Sequence, residues 1–318
     1  MIPKNEALAL SKKVLNALST GQGGMTTWDW PTGVALYGVW KSYLESGDPA
    51  ELSFLRGWFD QKLAEPAPHR TVISVAPVLT LCCLYEKTGD ETYGATVRDW
   101  AEWVMRDMPR TEYGGLQHCT IWNKHYQQLW CDTLFMACLF LCRAGLALKR
   151  EDYIEEAKYQ FLIHIRYLQD TVSGLWTHGW SFDCRHAFAR AHWARGNAWF
   201  TAASVDLLDM LPKRDASARF IEAALQDQVL ALWKYQRENG LFTTLIDVEE
   251  TYCETSATAA IAYGVLKGVR MGLLDGKYRE MGEKAADAVV AQIDEHGVRR
   301  LFAHLAVFPV EQPHAHAL

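Results

Sequence analysis

Helical periodicity runs through almost the whole chain, and the helices it predicts fall into two alternating kinds. One kind has a single apolar face and a charged one, over residues 4–19, 49–64, 91–107, 151–169, 215–237 and 276–293. The other is nearly free of charge, over residues 33–45, 75–87, 130–146, 193–210 and 255–270, with GVALYGVW, VAPVLTLCCLY, TLFMACLFL and TSATAAIAYGVL as its bodies. A helix that is apolar all round has to be covered on every side. Alternating β-branched segments are scarce, so the class is all-α.

The junctions SGDPAE and TGDETY repeat one helix-to-helix device. Gly47 and Gly89 suit the left-handed position after a helix, Asp48 and Asp90 suit the N-cap, Pro49 the first helical position and Glu51 the third. Later hairpins restart near Asp152, Asp215 and Gly276, roughly every 60 residues, which describes a degenerate hairpin repeat with growing loops. A linear solenoid would expose one face of each pair, whereas a closed double ring hides one whole set inside the other. The pattern therefore predicts a single (α/α)₆ barrel domain over residues 1–318, charged helices outside and charge-poor helices inside. Six outer helices face only five inner ones. After residue 293 the chain reads GVRRLFAHLAVFPVEQPHAHAL, an atypical tail over 294–318 in place of a sixth apolar helix.

The formal charge of −6 is spread without a basic run, which points away from nucleic acid. No apolar stretch reaches the roughly 20 residues that span a bilayer, and the N-terminus reads as a mature amphipathic helix, not a leader. The eight cysteines form no CxxC or CxxC and HxxxH pattern, so they read as reduced core residues of a cytoplasmic protein, with no metal or cofactor expected. The sequence leaves oligomeric state open, a homodimer included. The aromatic content, 13 Trp, 13 Tyr and 12 Phe, is the unusual figure, because flat apolar surfaces are what the C–H faces of sugars stack on, although bulky core filling also uses such residues.

In a closed ring the inner helices run parallel and their N-termini share one rim. The polar and aromatic exceptions to the charge-poor pattern lie there: Trp28, Asp29 and Trp30, then Ser74, Trp130 and Asp132, Trp193 and Arg195, and Glu254 and Thr255. Aligned helix dipoles together with Arg195 favour an anionic ligand. Asp132 in QLWCDTLFM stands alone among apolar neighbours, where a carboxyl with a raised pKa would suit proton donation; a first-turn cap is the plainer reading. His178 in GLWTHGW and His118 in GGLQHCT are candidate ligand contacts. Trp199 follows Arg195 by one helical turn, so a guanidinium and indoles can clasp a carboxylate and stack a ring.

WDWPTGVALYG, APVLTLCCLYEKTGD, GLQHCT, QLWCDTLFMA, GLWTHGW, HWARGNAW and ETSATAAIAYGVLKGVR, in that order over most of residues 28–272, resemble glycoside hydrolase family 105, the unsaturated rhamnogalacturonyl hydrolases, and more distantly family 88, the unsaturated glucuronyl hydrolases. The resemblance implies an (α/α)₆ barrel, no metal, and removal of a Δ4,5-unsaturated uronic acid from the non-reducing end of lyase-generated oligosaccharides. It implies Asp132 as acid and base, and His118, His178, Trp193, Arg195 and Trp199 as substrate contacts; Trp30 and Ser74 join these as candidate contacts from their place at the rim. Ser74 stands where the family commonly has Asn or Asp. An ordinary glycosidase needs two carboxylates flanking the bond, whereas hydrating a vinyl ether needs one group that donates a proton and then accepts one. Two other readings stay open: a sugar epimerase or isomerase using His118 and His178, and a non-catalytic carbohydrate-binding module.

Overall fold

The structure, a computed structural model, describes residues 3–19, 25–188, 191–211 and 214–294. Its outer helices are α1 (Lys4–Ser19), α3 (Pro49–Leu63), α5 (Glu91–Arg106), α7 (Glu151–Leu168), α9 (Ala216–Tyr235) and α11 (Arg279–Val290). The inner ones are α2 (Trp30–Ser46), α4 (Ala76–Thr88), α6 (Leu139–Leu148), α8 (Ala194–Met210) and α10 (Thr255–Arg270). Each inner helix packs on the next, α2 on α4, α4 on α6, α6 on α8 and α8 on α10, and each is backed by the outer helix that follows it. This is the helical barrel that the two kinds of helix predict. The place of a sixth inner helix falls on residues 295–318, outside the described residues.

Local chemistry sets the hairpins. Asp48 and Asp90 accept from the amides of Ala50 and Thr92 at 2.9 and 3.0 Å, and Asp215 caps α9 through Ala218 at 2.9 Å. Gly47 and Gly89 end α2 and α4 with φ of 67° and 68°, a region that disfavours any side chain. Two further glycines let inner helices touch. A Cβ on Gly33 would lie 2.6 Å from the Pro77 nitrogen, and one on Gly264 would lie 2.7 Å from the Thr201 carbonyl.

The start of the third inner helix differs from the expected run over 130–146. Trp130 belongs to a short strand, β1 (Gln128–Trp130), paired antiparallel with β2 (Gly179–Ser181), with Leu129 opposite Trp180. Helical backbone begins at Asp132 and passes through a wide π turn at Leu134–Cys138 before α6. The ladder bonds of β1 hold Trp130 extended, and the wider turn absorbs the change of register.

The inner helices are also not wholly free of charge. Asp206 on α8, 1% exposed, takes Lys267 and Tyr263 of α10 at 2.5 and 2.6 Å and Tyr37 of α2 at 2.9 Å, with Lys41 at 3.5 Å. Burial by itself would push its pKa up, but the two ammonium groups hold it below the ordinary carboxylate value. The cluster ties α2 to α8 and α10 near their C-terminal ends. Substituting Asp206→Ala leaves buried cations facing one another, and is expected to lower unfolding free energy by about 3 kcal/mol, read by urea denaturation.

Candidate active site

The β1–β2 ribbon assembles the centre of the site. The amide of Cys131 donates to the His178 carbonyl at 3.1 Å, which brings the residues after β1 beside the segment before β2. Asp132 and His178 then face each other, with Nε2 of His178 donating to Oδ2 of Asp132 at 2.8 Å. Their side chains are 17% and 16% exposed, so the pair is largely desolvated yet reachable. Asn197 of α8 fixes the His178 segment from behind, accepting from the Trp176 amide at 2.8 Å and donating to the Trp176 carbonyl at 2.9 Å.

The electrostatics of Asp132 correct the expectation of a raised pKa. Burial alone would push it up, but the charge and hydrogen bond of His178, with a smaller pull from His118, bring it down to about 2. Its place in the first helical turn agrees with that direction. At rest it is therefore a carboxylate held against an imidazole, not a protonated acid in an apolar pocket.

Aromatic rings surround the pair. Trp130 stacks on His118 with centroids 4.4 Å apart and planes 2° apart, takes His125 at 4.5 Å, and meets His178 at 4.7 Å. His118 is buried, its Nδ1 lies 3.2 Å from the Thr133 hydroxyl, and burial drives its pKa down to about 3, so it is neutral at neutral pH. It backs Trp130 from below instead of opening to a ligand.

Trp193 closes the other side, meeting His178 edge to face at 4.6 Å and carrying the Arg195 guanidinium over its ring at 4.5 Å. Arg195 reaches Glu254 at 3.4 Å, and Glu254 in turn accepts from Thr244 and Ser256 at 3.0 and 2.7 Å. Trp199 stands deeper, buried against Phe135 at 5.1 Å and Trp30 at 6.0 Å. The structure thus brings Asp132, His178, Trp193 and Arg195 into one contiguous group, while Trp30 and Trp199 pack edge to face on each other.

Ser74 differs from its expected role. It is buried in the short turn Ile73–Val75, where its hydroxyl accepts from the Thr71 amide at 2.8 Å and donates to the His69 carbonyl, also at 2.8 Å. Its carbonyl accepts from the Trp28 indole at 2.8 Å. Ser74 therefore shapes the rim through backbone geometry and presents no free hydroxyl. Two residues that the motif reading passed over are His125 and Asn197. His125 sits in a loop without periodicity, so nothing in the pattern marked it. A buried Asn in a charge-poor helix is a usable signal, since such a group must find partners.

A ring of helical hairpins with a carboxylate–imidazole pair, indoles and an arginine at one mouth defines a carbohydrate-active barrel class. The chain belongs to Glycosyl Hydrolase Family 88, whose family model matches residues 12–311. It is 34% identical over 284 residues to the unsaturated rhamnogalacturonyl hydrolase YesR of Bacillus subtilis, covering 88% of this chain and 80% of that protein. A crystal structure from Salmonella enterica serovar Paratyphi A, described as a possible member of the GH105 family, superposes with a TM-score of 0.90 at 41% identity over 93% of this chain and 84% of that one. A counterpart from Klebsiella pneumoniae with the same description gives 0.90 at 40% identity, over 93% and 83%. The resemblance read from the motifs agrees with these matches.

Buried His118 and His164, held down to about 3 and about 4 by burial, make a prediction about acid stability. Both are depressed below the unfolded value near 6.5, so the unfolded chain binds protons that the folded one refuses. Stability is expected to be level above pH ~6.5 and to fall below it by up to about 1.4 kcal/mol per pH unit for each residue, until the folded values are reached. The depressed Asp132 adds a further loss between about pH 4 and 2. Urea titrations across pH 2–7 check this, and His118→Gln should flatten the slope.

Proposed function

We propose that this protein hydrolyses unsaturated uronyl oligosaccharides, removing a Δ4,5-unsaturated uronic acid from the non-reducing end by hydrating its vinyl ether bond. The observation that carries this reading is the carboxylate–imidazole pair at the mouth, Asp132 bonded to His178 at 2.8 Å. The neighbouring carboxylate, Glu254, is engaged by Arg195, Thr244 and Ser256, which argues against its acting as the second acid of an ordinary glycosidase. The name of the Bacillus relative agrees with this chemistry.

In this reading the substrate carboxylate lies at the helix N-termini beside Arg195, and its ring stacks between Trp193 and Trp130. A second negative charge entering beside Asp132 raises the proton affinity of its carboxyl, which takes up a proton from solvent while the Nε2–H of His178 holds the carboxyl in place. Asp132 then gives that proton to C4, and positive charge develops at C5 shared with the ring oxygen. Water adds at C5 and returns a proton to Asp132. The hemiketal opens to a ketone at C5, and the hemiacetal left at C1 releases the aglycone. His118, stacked beneath Trp130, is poorly placed for the two-histidine chemistry of an epimerase. The free cysteines support a reducing, cytoplasmic location, and no described helix is long and apolar enough to cross a membrane.

An unsaturated galacturonyl–rhamnose disaccharide should lose its ultraviolet absorbance on incubation with the protein as the conjugated double bond is consumed. Asp132→Asn is expected to lower kcat by about 10³-fold, the usual scale for removing a proton-transfer group. Persistent absorbance with the folded wild type, or an unchanged rate in the variant, overturns the assignment. Arg195→Lys keeps the charge but loses the planar fork, and should raise KM with a smaller effect on kcat.

A further inference from the structure

The loop over residues 120–127, which leads into β1, holds its shape through its own side chains. The Thr120 amide donates to the Asn123 carbonyl at 2.8 Å, the Asn123 amide to the Thr120 hydroxyl at 3.1 Å, and the His125 amide to the Asn123 side chain at 2.9 Å. Gln117 clamps it from below, accepting from the Gln127 amide at 2.9 Å and donating to the Lys124 carbonyl at 2.8 Å. His125 and Gln127 hold φ of 43° and 53°, a left-handed conformation uncommon for side chains of this kind, and such backbone persists only where its surroundings enforce it.

This tied loop displays large apolar side chains to solvent: Trp122 at 77% exposure, Tyr126 at 67% and Ile121 at 56%. The same loop places the His125 ring on Trp130 at 4.5 Å; Trp130 touches His178, and His178 bonds Asp132. The loop that carries the exposed aromatics thus also carries His125, whose ring begins a line of contacts through Trp130 to His178. Trp122 precedes His125 by three residues, within about 11 Å along the chain. Below the mouth the barrel is filled by a continuous apolar core, so whatever is bonded to a sugar held at Asp132 has to leave over the rim.

We propose that Trp122, flanked by Tyr126, is the platform on which the aglycone sugar stacks, and so sets which oligosaccharides are cleaved. This rests on the unsaturated-uronyl reading of the Asp132 site. An indole face matches the apolar C–H face of a pyranose, and a loop fixed beforehand loses little freedom on binding it.

The test compares two substrates, the unsaturated galacturonyl–rhamnose disaccharide and the methyl glycoside of the same unsaturated uronate. Trp122→Ala should raise KM for the disaccharide roughly five- to tenfold and leave both constants for the methyl glycoside unchanged, while Trp122→Phe restores most of the difference. Equal effects on both substrates, or none on either, overturn the platform. A wild type that turns over neither substrate overturns the reading of the site instead. Sizing of wild type and variant forms the last arm: a dimer lost in Trp122→Ala gives the patch to a second copy of the chain and overturns the proposal.

Discussion

The hydrogen bond between Asp132 and His178 joins segments 46 residues apart, and most of the local architecture around the mouth exists to make it. A carboxylate and an imidazole that are both mostly shielded from water must meet at hydrogen-bond distance or leave an unpaired charge in a poor dielectric. The ribbon of β1 and β2 sets their separation, Asn197 clamps the histidine segment to α8, and Trp130 and Trp193 close the two sides. The hairpin ring behind them supplies the rigidity. A shift in any of these supports would reach the pair directly.

The ring was legible in the sequence because its signal is periodic and redundant. Charged and uncharged helices alternate, and the Asp caps and left-handed glycines mark their ends. The rim residues could be named because they interrupt an otherwise apolar set, and Asp132, His178, Trp193 and Arg195 do meet. Orientation was not legible. Ser74 occupies a position suited to ligand contact but turns its hydroxyl into its own chain, since the Thr71 amide at the turn needs an acceptor. The pKa of Asp132 could not be read from its apolar neighbours in sequence, because the group that governs it arrives through tertiary contact. His125 left no trace at all, as a histidine in an aperiodic loop has no pattern to break.

Charge is distributed along the barrel axis in a way that separates tasks. At one end the Asp206 cluster matches two lysines and two tyrosines to a carboxylate and locks three inner helices together. At the other end charges are matched more loosely: Arg195 stands 3.4 Å from Glu254 and keeps donors to spare, and Asp132 keeps a face open to solvent. The first arrangement favours a fixed structure, while the second leaves unsatisfied capacity where a ligand can supply the missing partner.

The wide turn at Leu134–Cys138 separates two demands that an ordinary helix would couple. In a regular helix each residue adds about 100° of rotation, so the aim of the first residue and the face packed by the last are locked in phase. Here the extra residue is taken up inside the helix, and α6 keeps its buried face while Asp132 points at His178. The wide turn winds one more residue into this stretch than a regular helix would hold, between the carboxylate and the face that α6 packs. Chain length at this point, as much as residue identity, bears on where the carboxylate stands.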